Sequence, residues 1–155
     1  MILRRAKLPD LIFIQQLNQE LFSHDHEFDS LLDHTWPLSQ IGEKYFTEKI
    51  SGKDQVCFVA EEGNQIVGYL AGSIGKPDST RSNVVVANID NILVLEAHRS
   101  KGVGKMLIKQ FCVWCKNKAT RISVTAYFEN TRAVGFYKNL GFEELAVTLE
   151  TEIHN

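Results

Sequence analysis

Ile92-Leu93-Val94-Leu95-Glu96-Ala97-His98-Arg99-Ser100-Lys101-Gly102-Val103-Gly104-Lys105-Met106-Leu107 joins an apolar run, a basic loop holding two glycines, and the opening of an amphipathic pattern. The run Ile92 to Leu95 is short and rich in branched side chains, as in a buried strand, whereas Val103, Leu107, Phe111 and Trp114 recur at helical spacing and predict a helix over Gly102 to Lys118. The first N–H groups of a helix have no partner inside it, and the macrodipole makes that end positive. A phosphate seated there satisfies both. Glycines at 102 and 104 let the backbone approach such an anion, and Arg99, Lys101 and Lys105 add charge around it. Two other phosphate-binding patterns are excluded by single residues. Lys105 is followed by Met106 where a Walker loop needs a hydroxyl, and Leu107 stands where a dinucleotide fingerprint needs its third glycine.

Working outward, Asn83 to Leu95 is a long β-rich run, and Gln55 to Glu61 with Gln65 to Ser73 reads as a hairpin across Glu62-Gly63-Asn64. Gly72 to Asn83 reads as a second hairpin loop. Leu8 to Phe22 predicts a helix with Pro9 in its first turn, and Ser39 caps a second one running to Ile50. Downstream, Ile122 to Tyr127 is a strand, Thr131 to Leu140 a helix, and Leu145 to Glu150 a last strand. With a first strand at the N-terminus, the order is β-α-α-β-β-β-α-β-α-β. The expected class is α/β, a mixed, mostly antiparallel sheet flanked by helices, with a central βαβ unit. At 155 residues and 44% hydrophobic, one core and one domain over 1–155 are expected.

The net charge of −2 conceals an asymmetry. Ala97 to Phe128 holds Arg99, Lys101, Lys105, Lys109, Lys116, Lys118 and Arg121 without one acid, while Leu21 to Glu43 holds Asp25, Glu27, Asp29, Asp33 and Glu43 without one Lys or Arg. A protein that receives a polyanion at one place and a cation at another has this pattern. Nucleic acid is not expected, because Phe111 and Trp114 within the basic block belong to the apolar stripe of the predicted helix, and the block shows no aromatic interleaving of the type that stacks bases. No apolar stretch has the length of a membrane span, so a cytoplasmic protein is expected, with no membrane partner. Three cysteines argue against a disulfide framework, and Cys112 and Cys115 lie well inside the predicted helix, where core packing is expected instead of redox chemistry. The absence of a clustered ligand set predicts no metal.

Arg99-x-x-Gly102-x-Gly104, five residues after Val94, resembles the acetyl-CoA loop of the GCN5-related N-acetyltransferase (GNAT) superfamily. Asn130-Thr131-Arg132-Ala133-Val134-Gly135-Phe136-Tyr137-Lys138-Asn139-Leu140-Gly141-Phe142 is similar to a second motif of that family, and Leu3-Arg4-Arg5-Ala6 with Asp10-Leu11 to its opening. The resemblance implies an enzyme, an acetyl-CoA-dependent N-acetyltransferase with acetyl-CoA as co-substrate. It implies a strand splayed open so that Leu93, Val94 and Leu95 hold the pantetheine arm and the acetyl carbonyl. Lys101, Gly102, Val103, Gly104 and Lys105 then hold the pyrophosphate, with Arg99 beside them. Tyr137 matches the family's general acid, and Asn130 a position that caps the helix and touches the cofactor, an N-cap without that contact being the alternative. A homodimer is a further expectation by family likeness.

For the base, strand alternation would put Asn88, Asp90, Ile92 and Val94 on one face, so Asp90 is the candidate to take the amine proton through water. Asp25, Asp29 and Trp36, in a stretch that also carries three histidines, are candidates to receive a cationic amine. The expected acceptor is a small cationic primary amine. Acetylation of a peptide or protein amine is the alternative, as is a non-catalytic acetyl-CoA-binding module. Members that act on protein N-termini often carry a glutamate five residues before the asparagine, where this chain has Thr125.

Overall fold

The computed structural model describes residues 1–154, which divide into two compact units, one ending at Thr125 and one beginning at Ala126. In the first unit, β1 (Ile2–Arg5), α1 (Leu11–Asp25), α2 (Gln40–Ser51), β2 (Gln55–Glu62), β3 (Gln65–Ile74), β4 (Val86–Val94), α3 (Val103–Cys115) and β5 (Arg121–Val124) follow in chain order. The second unit carries α4 (Thr131–Asn139). The five strands form one sheet in sequence order, antiparallel from β1 through β4 and parallel between β4 and β5, with α3 as the crossover. This is the expected α/β class, and Ile92 to Leu107 is the segment that joins β4 to α3.

Local chemistry explains the helix starts. Pro9 sits in a 3-10 turn, Leu8–Asp10, where a missing N–H costs nothing. The Asp10 carboxylate accepts the Lys7 N–H at 2.7 Å and two Arg4 guanidinium N–H groups at 2.7 and 3.0 Å, fastening β1 to α1. Arg4 also donates to Glu61 across the sheet at 2.8 Å. The Ser39 hydroxyl accepts from Gly42 N at 3.2 Å and caps α2. One face of the sheet, through Val59, Tyr69, Ala71 and Leu93, packs with Ile14 and Leu17 of α1 and Phe46 of α2. The other face receives α3, whose Val103, Leu107 and Phe111 are buried. Cys115 is buried there too, and burial pushes its thiol up to about 12, whereas Cys112 on the same helix is exposed.

One irregularity sets the geometry of everything that follows. Ala71 pairs with Asn91, but the next residue of β3, Gly72, pairs with Ile89, so Asp90 is an extra residue in β4. The bulge resets the alternation. Asp90 and Asn91 both project toward α1 and α2, where they bond to Lys49 and to Asn18 and Tyr45. Ile92 pairs with Leu70 and lies on the other face, away from Leu93, which joins the α1 and α2 core. The expectation that Asn88, Asp90, Ile92 and Val94 share a face is therefore corrected, because simple alternation cannot cross an inserted residue.

A second correction concerns Leu145 to Glu150. These residues join no ladder, and Leu145, Val147 and Leu149 are 74%, 68% and 88% exposed. Their alternation is a strand pattern, but a strand becomes one only when another edge satisfies its backbone. Other boundaries move by a few residues, as α1 extends past Phe22 to Asp25.

Two measurements test this packing. A Cβ at Gly72 would lie 2.6 Å from Asn88 O and closer still to the Phe111 ring, so Gly72→Ala should lower unfolding free energy by about 1–3 kcal/mol in a urea titration. The Arg4 guanidinium, with the Lys7 N–H, holds the Asp10 carboxyl below the usual carboxylate range against the opposing effect of burial. A depressed folded pKa stabilises above the unfolded value of about 3.9 and ceases to do so as pH falls through the folded one. Asp10→Asn should therefore cost about 1–3 kcal/mol at neutral pH and flatten the acid limb of stability against pH.

Candidate active site

The loop between β4 and α3 is shaped by backbone conformations that favour glycine. Ser100 and Gly102 have φ of 60° and 81°, and Gly102 is the N-cap of α3 without any side-chain acceptor. The first backbone bond of the helix runs from Met106 N to Gly102 O at 3.0 Å. The N–H groups of Val103, Gly104 and Lys105 thus end the helix without acceptors inside it. Lys101 and Lys105 are exposed beside them, while Val103 is buried and anchors the turn. Arg99 points inward, its Nε donating to Val94 O at 2.8 Å, which ties the loop to the end of β4. His98 Nε2 lies 3.0 Å from Glu62 and ties it to the β2-β3 hairpin. An open, positively polarised helix end with flanking lysines fits a diphosphate.

Adjacent to this loop, β4 outruns its parallel neighbour. Pairing with β5 covers only Val86 to Ile89, against Arg121 to Val124, so the remainder of β4 has no partner strand on that side. Which amides are left over follows from the antiparallel alternation. Leu95 N donates to Val67 O at 2.9 Å, and the same phase directs the amides of Leu93 and Asn91 toward β3. Ile92 and Val94 therefore turn their peptide groups to the open edge. Arg99 confirms the phase, since it takes the Val94 carbonyl from that side. Where the strands part, a cleft of about 190 Å³ is lined by Asn88, Asp90, Ser123 and Thr125 among others.

Asp90 borders this cleft and is held firmly. Its Oδ2 accepts from Lys49 Nζ at 2.7 Å and from the Ser73 hydroxyl at 2.9 Å, and Lys49, buried in α2, also donates to Gln55 at 2.7 Å. Asn91, its neighbour in the bulge, donates to Tyr45 OH at 2.8 Å. The fully buried Asn18 donates to Asn91 Oδ1 at 2.9 Å and to Tyr69 OH at 2.8 Å. Burial, and then the Asp90 charge, push the Tyr45 hydroxyl up, so it stays a neutral hydrogen-bonding group. Lys49, Asn18, Tyr45, Tyr69 and Asn91 escaped the sequence reading. The bonds that join them to the bulge, and Asn18 to Tyr69, span 41 to 73 residues, and no local pattern marks them.

The acceptor candidates fall at the C-terminal end of α1 and beyond. Trp36 stacks on Phe22 at 5.6 Å and meets Tyr45 edge-on at 5.5 Å, which links it to the aromatic core. Asp25 is half-buried, and desolvation raises its pKa against the opposing bond to His24. Asp29 accepts from Leu31 N at 3.1 Å, a local turn on the exposed loop. Within the second unit, Asn130 caps α4 by accepting from Ala133 N at 3.1 Å, and Tyr137 is buried between the edges of Phe136 and Phe142.

Residues 15–142 match the profile of the acetyltransferase (GNAT) family. An aminoglycoside N(6')-acetyltransferase type 1 of Acinetobacter haemolyticus is 30% identical over 75% of this chain and 76% of its own length. An N-alpha-acetyltransferase of Sulfurisphaera tokodaii is 28% identical over 66% of this chain and 65% of its own. Among solved structures, the aminoglycoside N-acetyltransferase AAC(6')-Iy in complex with CoA superposes with a TM-score of 0.77 at 20% identity, over 99% of this chain and 95% of that one. With a parted β4-β5 pair leading into an open helix end, and with sequence likeness over most of its length, the chain belongs to the GNAT acetyltransferase family and is an acetyl-CoA-dependent acyltransferase.

Proposed function

We propose that this protein transfers the acetyl group of acetyl-CoA to a primary amine of a small cationic molecule, by direct attack in a ternary complex. The observation that carries the reading is the open edge of β4, with the Ile92 and Val94 amides free beside a helix end suited to a diphosphate. The amines of this reading are cations before they react. Asp25 is a partly desolvated carboxylate whose ionic contact is with His24 at 3.3 Å, and a cation beside it would offset the cost of its burial. Trp36 supplies an aromatic face close by in sequence to Asp29.

In the reaction, the neutral amine nitrogen attacks the thioester carbonyl carbon and the carbonyl oxygen gains charge. An amide of the Leu93 to Leu95 segment donates to that oxygen, and Val94 has the free one. The proton lost by the amine passes through water to Asp90. Both side-chain bonds to this carboxylate converge on Oδ2, so Oδ1 is the oxygen available to water in the cleft. Collapse breaks the C–S bond, and Tyr137 gives its proton to the departing thiolate. Lys101 through Lys105, with Asn130, hold the cofactor. The rest of the reading is one domain over 1–155, acting in the cytoplasm as a homodimer on a small-molecule amine.

Acetylation of a peptide amine is the second reading, favoured by the likeness to the Sulfurisphaera N-alpha-acetyltransferase. Turnover on a panel of mono- and polycationic amines against short peptides separates the two, with the polycationic amines expected to be preferred. Asp25→Asn should raise KM for those amines about tenfold, the equivalent of about 1.4 kcal/mol, and leave KM for acetyl-CoA unchanged. Equal KM values across the panel would remove Asp25 from the acceptor site. Tyr137→Phe should lower kcat by about a hundredfold while acetyl-CoA still binds, and a rate unchanged at every pH would exclude Tyr137 as the acid.

A further inference from the structure

Lys49 carries an ammonium into the interior from the last turn of α2, where it is 7% exposed. Its Nζ donates to Asp90 Oδ2 and to Gln55 Oε1, both at 2.7 Å, and the Tyr45 ring centroid lies 5.0 Å from it. Replacing a buried ion pair by apolar side chains of similar volume is often neutral or better for stability, so stability alone does not account for a charge at this position. What the pair supplies is a fixed direction for the Asp90 carboxylate.

The anchors of Asp90 come from one row across the sheet. Gln55 of β2 pairs with Ser73 of β3, and Ser73 pairs with Asn88 of β4. The Ser73 hydroxyl reaches Asp90 Oδ2 at 2.9 Å, and the bond from Lys49 to Gln55 seats the ammonium over the same row. The last torsion of an aspartate is broad, so the plane of its carboxylate is set by what it bonds to. With both bonds on Oδ2, Oδ1 is left for the cleft that Asn88, Ser123 and Thr125 line. Asn91, the other polar residue of the bulge, is held separately by Asn18 and Tyr45. We infer that Lys49, seated by Gln55, is a positioning residue for acetyl transfer, whose bond to Oδ2 fixes the plane in which Asp90 presents Oδ1 to the proton of the attacking amine. Lys49 itself neither gives nor takes a proton, and the cofactor amides beyond the bulge keep their phase through the Asn91 side of the cluster. This role rests on the reading of Asp90 as the base.

Kinetic constants of Lys49→Met, Asp90→Asn and the double variant, with CoA affinity measured by calorimetry, test it. Lys49→Met should lower kcat about tenfold or more, since a misplacement of about 1 Å can cost a hundredfold, and should leave the dissociation constant of CoA within about twofold. Asp90→Asn should lower kcat about a hundredfold, the scale of a general base. The double variant should be no slower than Asp90→Asn, because a residue that acts only through Asp90 then has nothing to act on. Losses that multiply in the double variant overturn the inference, as does an unchanged kcat in Lys49→Met beside a slow Asp90→Asn. So does a CoA affinity that falls in step with kcat, the mark of a general structural role. Asp90→Asn at full rate removes the base reading instead, and the role of Lys49 with it. If Lys49→Met does not fold, Lys49→Gln takes its place in the cycle, being polar but one atom too short to keep the 2.7 Å bond.

Discussion

The inserted residue in β4 is the constraint on which the site depends. A regular β4 would keep one phase of side chains and peptide groups from Val86 to Val94. With Asp90 inserted, two successive polar side chains face α1 and α2, while the strand beyond them continues without a partner on its β5 side. A bulge disrupts its ladder and survives only where neighbours satisfy what it exposes. Here Lys49 and Ser73 hold Asp90, and Asn18 and Tyr45 hold Asn91.

This support is polar and largely buried, which gives it a sharp energetic character. A buried ammonium such as Lys49 costs several kcal/mol in desolvation, on the order of what a carboxylate at 2.7 Å and an amide oxygen at 2.7 Å return. Such a cluster contributes geometric definition more than net stability. It fixes where the splayed strand begins, and that position selects Ile92 and Val94 as the residues with amides to spare. Arg99 extends the same logic, because its bond to the Val94 carbonyl couples the end of the strand to the loop that opens α3.

Charge is distributed to match. Arg99, Lys101 and Lys105 lie around the free end of α3, whereas Asp25, Glu27, Asp29 and Asp33 lie at the far end of α1 and in the loop beyond it. On the proposed reading a diphosphate and an ammonium would be attracted to different parts of the chain, and a field of this kind would orient two oppositely charged substrates before any specific contact forms. Asp25 is half-buried, so its charge is less screened than that of the exposed turn residue Asp33.

The amino-acid sequence by itself determined most of the elements and the junction from β4 through the glycine loop to α3. Helical spacing, Ser39 as a cap, the Gly63-Asn64 turn and the strand-glycine-helix junction are all written within a few residues of where they act, and local physics is short-ranged. Tertiary structure decided what depends on a partner distant in the chain. It turned Asp90 away from Ile92 and Val94 through a bulge, buried Lys49 against it from 41 residues away, and joined Asn18 to Asn91 across 73. It also left Leu145 to Leu149 without a ladder although their pattern is that of a strand. Alternation specifies which side chains agree on a face, but a strand needs a second edge to satisfy its backbone, and no stretch of sequence contains its own partner.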